Sequence, residues 1–252
     1  MVCMTQSSPG SLNQSSDESI LRYNDVYSRT VDLVGDYAGS ELFIIEGDSL
    51  LLHCFTDDQL QFSNGFQLLH ATYIVERFLA NLRQRNCNFH IVFFSDHSNV
   101  SIPPHAAEAS RPKYSLAREA ILQHLLQNAP DSVPAMRVKC FDTYDSQEFR
   151  DYLAAEGVYF LMCHDGALIE RNQDETESLK SVVNFEDLKV SDDSDGGSEE
   201  TVEHAPPTIC PTSVILRSMI CWFIAYGYNI SLLNSLECRD TKVHFPPLIS
   251  IV

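Results

Sequence analysis

Short apolar runs alternate along the chain with longer segments in which apolar residues recur at helical spacing. A strand that is covered on both faces reads as a continuous apolar run, and turn residues commonly bound such strands. The pattern therefore predicts five strands, at residues 42–46, 89–94, 137–141, 158–163 and 229–233, the first of them buried.

Four segments show the spacing of amphipathic helices, and we expect helices at residues 66–84, 114–128, 146–156 and 213–226. Ser146 is placed to cap the third helix, and Gly157 is placed to end it. The buried stripes of the first two helices are expected to include Leu69, Tyr73, Phe78 and Leu82, and then Leu116, Ala120, Leu122 and Leu125.

Strands that are separated by helices of this length indicate βαβ units and a mostly parallel sheet. Right-handed crossovers place such helices on both faces of the sheet. The predicted fold is therefore α/β, and any ligand is expected at the carboxyl ends of the strands.

Two stretches have the composition of disordered chain. Residues 1–18 are rich in Ser and Gln, and residues 170–203 carry 12 acids and 3 bases, a net charge of −9. Segments with so much charge and so few aromatic residues bury too little surface to offset chain entropy. We expect one domain, formed by residues 19–169 and 209–252, with a disordered acidic insert at 170–208.

The charge of the whole chain argues against one class of function. With 35 acids against 17 Lys and Arg, the 252 residues carry a formal charge of −18. This balance argues against binding nucleic acid through a broad basic surface. Residues 1–18 lack the apolar core of a signal peptide, and the apolar stretch 218–226 is too short to span a bilayer. We therefore expect a cytoplasmic protein with no membrane contact.

Acids follow four of the predicted strands: Glu46 and Asp48, then Asp96, then Asp142 and Asp145, and finally Asp165. In a parallel sheet these carboxylates would share one edge, where mutual repulsion raises their pKa values. Mg²⁺ or Mn²⁺ would relieve that repulsion, and two such ions can activate water for phosphodiester hydrolysis. The alternative is that these acids only form turns, as Asp commonly does after a strand.

Arg118 is the cation that we consider for RNA binding, because it could steer a phosphate toward this edge. The alternative is an exposed helix cation. The chain has no GxxxxGK[ST] motif, so we expect no nucleotide site of that type.

Four segments, residues 32–54, 66–78, 90–96 and 158–165, resemble the N-terminal region of the superkiller-type DExD/H-box RNA helicases of the helicase-60 family, and fungal members most of all. The resemblance implies a PIN-like fold, which is a Rossmann-like three-layer α/β sandwich with a mostly parallel sheet.

In active PIN nucleases acids follow the first strand and later strands. Glu46 falls where the first of these acids is expected, with Asp48 two residues further on, and Asp96 and Asp165 resemble later ones. Glu stands in place of Asp at the first position, and the close acid pair expected after the fourth strand is absent. The resemblance thus implies a degenerate PIN fold that positions RNA or contacts partners.

The family also implies a helicase core further along, and these 252 residues contain no helicase motif. We therefore expect no ATP-driven unwinding from this chain, and we interpret it as a truncated or mispredicted gene product.

Three functions stay open on the sequence. The first is a non-catalytic or weakly active PIN-like module that is associated with RNA. The second is a Mg²⁺- or Mn²⁺-dependent ribonuclease that uses Glu46, Asp48, Asp96 and Asp165. The third is an interaction module that docks basic protein partners through the acidic insert at residues 170–208.

Overall fold

A computed structural model describes residues 23–37, 41–60, 62, 65–128, 136–167, 210–233 and 241–246. Within them, seven strands form one sheet in the order β1-β7-β6-β5-β2-β3-β4. The strands are β1 Ser28–Val31, β2 Leu42–Glu46, β3 Asn88–Phe94, β4 Met136–Phe141, β5 Phe160–Cys163, β6 Asn229–Leu232 and β7 Thr241–His244.

Five neighbouring strands, β6-β5-β2-β3-β4, are parallel, which confirms the mostly parallel sheet. β2 is the centre of this set, and its Ile44 lies opposite His90 of β3 on one side and Leu161 of β5 on the other. The chain builds β3 and β4 outward on one side of β2, and then returns to build β5 and β6 on the other. The strand order therefore reverses between β2 and β5, the position where ligands bind in open α/β sheets.

The helices are α1 Leu33–Tyr37, α2 Gly47–Phe55, α3 Leu68–Gln84, α4 Arg111–Asn128, α5 Gln147–Glu156 and α6 Pro211–Ala225, with short 3₁₀ turns at Ser95–Ser101 and Glu108–Ser110. The four predicted helices are confirmed as α3 to α6, with ends shifted by three residues at most. Ser146 accepts a 3.3 Å hydrogen bond from the Phe149 N–H, and Gly157 ends α5 with φ +66°, as the sequence predicts.

The alternation of side chains along β2 separates two hydrophobic cores. Phe43 and Ile45 point to the core that α3 and α4 cover, whereas Ile44 points to the core that α5 and α6 cover. The structure thus has helices on both sides of the sheet, which confirms the three-layer α/β sandwich.

The predicted stripes of α3 and α4 were partly wrong. Leu69 and Tyr73 are 87% and 56% exposed, and Leu116 is also exposed. The buried face of α3 is instead formed by Ala71, Ile74, Val75, Phe78, Leu79 and Leu82. These residues keep a strict three- and four-residue spacing, whereas Leu69 and Tyr73 are four apart on the opposite face.

Four elements were missed: the strands β1 and β7 and the helices α1 and α2. β1 and β7 have four residues each, they mix polar and apolar side chains, and they are antiparallel to their neighbours. β7 is therefore the last strand, whereas we predicted that the strand at 229–233 would be. α1 has only five residues. α2 buries eight of its nine residues, the polar Asp48 and Ser49 included, so its sequence does not divide into an apolar and a polar face.

Among the helices α1 to α6, none is long and apolar enough to cross a membrane within the described part of the chain. The predicted disordered segments, residues 1–18 and 170–208, lie outside the described residues.

Candidate functional site

Helix α2 lies at the point where the strand order reverses. It begins at Gly47, directly after the last residue of β2, and it contacts both β3 and the 3₁₀ turn that follows β3. Near its other end, the ring of His53 lies 6.1 Å from the ring of His164, which directly follows β5. α2 therefore extends along the carboxyl edge of the three central strands.

The side chains of α2 fill this edge. Leu51 and Phe55 belong to the core under α3 and α4, and Leu52 belongs to the core under α5 and α6. Eight of the nine residues of α2 are buried. The crevice in which open α/β sheets bind ligands is thus occupied by the protein itself.

Gly47 permits this close approach. A Cβ atom at residue 47 would lie 2.5 Å from the ring of Phe93, well inside van der Waals contact. Only glycine lets the first turn of α2 pack against β3 without moving that ring.

Glu46 caps α2. Its Oε1 accepts a hydrogen bond of 3.1 Å from the Asp48 N–H, and its Oε2 accepts one of 2.5 Å from the Ser49 N–H. These are two of the four amides that a helix leaves without partners at its start. Burial, with the nearby charge of Asp48, raises the pKa of Glu46 to about 8.

Asp48 forms a buried ion pair with Arg118 of α4. Nε and Nη2 of Arg118 donate to Oδ1 and Oδ2 of Asp48 at 2.6 and 3.0 Å. Burial raises the pKa of Asp48 to about 6, and the guanidinium opposes that rise, so Asp48 is ionised at neutral pH. Arg118 also donates to the Phe94 carbonyl at 3.5 Å and lies 5.6 Å from the centre of the Phe93 ring.

The ion pair changes what both residues can do. Both carboxylate oxygens of Asp48 are engaged, and Arg118 is buried and held by protein groups. The cation that we considered for RNA binding thus neutralises an acid that we considered for metal binding. As arranged, these two side chains do not fit a divalent cation between them.

Asp165 is held in a different network. Its Oδ2 accepts a hydrogen bond of 2.8 Å from the Tyr23 hydroxyl, and its Oδ1 accepts one of 3.0 Å from the Ala167 N–H. The same hydroxyl lies 3.2 Å from Nε2 of His244 in β7. Asp165 thus connects the end of β5 to Tyr23, which precedes β1, and through Tyr23 to β7.

His164 beside it is buried and accepts a 2.8 Å hydrogen bond at Nδ1 from the Gly166 N–H. Burial lowers the pKa of His164 to about 4, so the ring is neutral at pH 7.

Asp96 takes a different position. Its side chain is exposed after β3, and its backbone N–H donates to the Asp142 carbonyl at 3.1 Å. Asp142 and Asp145, after β4, are exposed as well. Across the described ranges, no three His, Cys, Asp or Glu side chains are grouped so that they could hold a metal ion.

The structure therefore places Glu46 and Asp48 together in one buried network, whereas Asp165 is bonded in another and Asp96 is exposed. The sequence did contain a signal for the Asp48 pair. Arg118 lies in the buried stripe of α4, which is Tyr114, Ala117, Arg118, Ile121, Leu122 and Leu125. An arginine in such a stripe needs a buried carboxylate partner. Tyr23 and His244 carried no comparable signal.

The chain is similar to a known protein family and to a human protein. Residues 19–184 match the family model described as "ATP-dependent RNA helicase DDX60, PIN-like domain". A human protein, "Probable ATP-dependent RNA helicase DDX60-like", is 29% identical over 136 residues. That match covers 54% of this chain but only 7% of the human protein, so the similarity concerns a small part of a much longer relative.

Proposed function

The chain belongs to the family of DDX60 PIN-like domains, and on this premise we propose that it acts as a non-catalytic, RNA-associated module. The observation that carries the non-catalytic half is the buried Asp48–Arg118 ion pair. The support for the RNA-associated half is similarity: the family description and the name of the human relative both specify an RNA helicase.

Metal-dependent hydrolysis of RNA needs carboxylate oxygens that can coordinate the ion. Here the oxygens of Glu46 accept backbone N–H groups of α2, and those of Asp48 accept the Arg118 guanidinium. A divalent cation would have to displace that guanidinium and leave it buried without its partner, which is strongly unfavourable. The carboxyl groups of Glu46 and Asp48 are therefore stabilised by protein groups, without a metal.

The first experiment is a cleavage assay on labelled single-stranded RNA in millimolar Mg²⁺ and, separately, Mn²⁺. The wild-type chain and Asp96→Asn are compared, because Asp96 is exposed and its substitution should leave the fold intact. We expect neither protein to cleave the RNA faster than a control reaction without protein. Cleavage by the wild type that Asp96→Asn abolishes would overturn the non-catalytic proposal.

Metal binding has its own measurement. An ion that binds only the folded chain raises the thermal midpoint by mass action. We expect no rise in the wild type at millimolar Mn²⁺. A rise that is lost in Asp165→Asn would favour the ribonuclease, for which Glu46, Asp48, Asp96 and Asp165 stay the predicted ligands of Mg²⁺ or Mn²⁺.

RNA association is tested by the anisotropy of a labelled single-stranded RNA at several salt concentrations. Because the chain is acidic, we expect weak binding that salt removes, through a local contact only. Absence of binding even at low salt would contradict the RNA-associated half and leave the non-catalytic half untouched. The third hypothesis, docking through residues 170–208, stays a prediction.

A further inference from the structure

An aromatic stripe, formed by Tyr144, Trp222 and Tyr226, runs from the carboxyl edge of the sheet along the surface between α5 and α6. The ring centres of Tyr144 and Trp222 are 5.8 Å apart, and those of Trp222 and Tyr226 are 4.2 Å apart at an interplanar angle of 31°. Tyr226 is 51% exposed, and the other two side chains are half-buried. Tyr and Trp with exposed faces are enriched where proteins bind one another.

Two exposed acids, Asp142 and Asp145, flank Tyr144 in the chain, and the backbone N–H of a third, Asp96, donates to the Asp142 carbonyl. The ring centre of Tyr144 is 5.0 Å from that of His97, which follows Asp96. Burial lowers the pKa of His97, so at neutral pH its ring adds no positive charge to offset these acids. This end of the stripe is thus aromatic and negatively charged.

The other end shows how a guanidinium fits the stripe. Arg150 of α5 lies 5.6 Å from the centre of the Tyr226 ring, and its Nη1 donates to the Tyr226 hydroxyl at 3.1 Å. Planar guanidinium groups stack on aromatic faces better than ammonium groups do, and they also pair with carboxylates. Among the cation–ring contacts of the described residues, none involves Tyr144 or Trp222.

We propose that the aromatic stripe and the acids Asp96, Asp142 and Asp145 form a docking surface for an arginine-containing segment of a protein partner. An arginine of the partner would stack on Tyr144 and Trp222 and pair with the acids beside them. RNA bases also stack on aromatic rings, but three carboxylates repel the phosphates that accompany the bases. Charge complementarity therefore favours a basic peptide over RNA at this surface, and the proposal stands independently of the non-catalytic, RNA-associated function.

Trp222 is the only tryptophan in the chain, so its fluorescence reports directly on the stripe. The experiment titrates hexa-arginine, hexa-lysine and a single-stranded oligouridylate into the full chain and follows the Trp222 emission. We expect hexa-arginine to change the emission and to bind about two- to fivefold more tightly than hexa-lysine, the range that stacking adds at exposed sites.

Two substitutions test the surface, and each has a matched control. Tyr144→Ala removes a ring on which the arginine would stack, Asp145→Asn removes a carboxylate beside it, and each should weaken hexa-arginine binding. Tyr73→Ala removes an exposed tyrosine on α3 that lies beside Arg77. Glu108→Gln removes an exposed acid before α4. Neither control should change the affinity.

Three results would overturn the proposal. One is an emission that hexa-arginine leaves unchanged at millimolar concentration. Another is equal affinity for hexa-arginine and hexa-lysine that Tyr144→Ala does not alter, because it would show only diffuse charge attraction. The third is a response to oligouridylate that exceeds the response to hexa-arginine, which would assign the stripe to RNA.

Discussion

At the inner end of the carboxyl edge, where the strand order reverses, Glu46 and Asp48 are buried and bonded to α2 and to Arg118. At the outer end, beyond β3 and β4, Asp96, Asp142 and Asp145 are exposed. We call these two sets the inner acids and the outer acids. Both sets come after strands of the same parallel sheet, and in the sequence they look alike.

The difference comes from the structural element that each strand leads into. α2 begins directly after β2, so carboxylates at that point meet unpaired helix amides and become buried as the helix packs. β3 and β4 lead instead into loops or 3₁₀ turns, and their acids reach solvent. An acid at the end of a strand can thus be a structural group or an accessible one, depending on the next element.

The contrast between the inner and the outer acids is tested most directly at Asp48. Asp48→Asn should lower the free energy of unfolding by about 3–5 kcal/mol, because it leaves the Arg118 guanidinium buried without a charged partner. Urea unfolding at pH 7 measures this loss.

The matched control replaces both partners, as Asp48→Leu with Arg118→Met. Removing both charges should recover most of the loss, since a buried ion pair and an apolar pair of similar volume have similar stability. A loss below about 1 kcal/mol in Asp48→Asn would show that the inner acids resemble surface acids, whose ion pairs contribute that little.

Gly47→Ala tests the packing of α2, the helix that buries the inner acids. The new Cβ would meet the Phe93 ring at 2.5 Å, so we expect destabilisation of about 1–3 kcal/mol, the usual range for overpacking. Gly65→Ala is the control, because a Cβ at residue 65 has no heavy atom within 4 Å. Equal unfolding midpoints for the two variants would contradict the tight packing of α2 against β3.

Much of this fold could be predicted from the sequence, because most of the parallel strands are short apolar runs and segments with helical spacing separate them. α2, the element that decides the site, could not be predicted, because it follows β2 directly and buries eight of its nine residues, so no exposed face marks it as a helix. The pairing of Asp48 with Arg118 joins residues 70 positions apart, and only the packing of α2 against α4 brings them together. The sequence therefore located the acids but did not distinguish the inner from the outer ones.

The pH dependence of the free energy of unfolding should report the raised pKa of Glu46. Its pKa is about 8 in the folded chain and 4.5 in the reference state, so the folded chain binds more protons between these values. Stability from this group is therefore complete below pH 4.5 and is lost as the pH rises through 8. Burial lowers the pKa values of five histidines, His53, His90, His97, His164 and His244, and they act in the opposite direction. Because their rings still release protons in the unfolded chain above pH 6.5, this opposing effect extends to about pH 7.5.

The difference between the wild type and Glu46→Gln isolates Glu46, because both proteins share the histidines. Between pH 6.5 and 8 the free energy of unfolding of the wild type should fall, relative to that of Glu46→Gln, by about 1 kcal/mol per pH unit, close to the limit for one proton. Urea unfolding of both proteins across this window measures the difference in slope. Asp96→Asn, which changes an outer acid, should keep the wild-type slope. Equal slopes for the wild type and Glu46→Gln would mean that Glu46 is ionised throughout.

The smallest effects are expected at the outer acids. Asp96→Asn and Asp145→Asn should each change the free energy of unfolding by no more than about 0.5 kcal/mol, because both side chains are exposed. Since both acids lie on a strongly acidic chain, the small change should be stabilising at low salt and vanish at high salt. Urea unfolding at two ionic strengths measures it. A loss above about 1 kcal/mol at either position would place the acid among structural groups, as at Asp48, and would remove the distinction on which the outer docking surface depends.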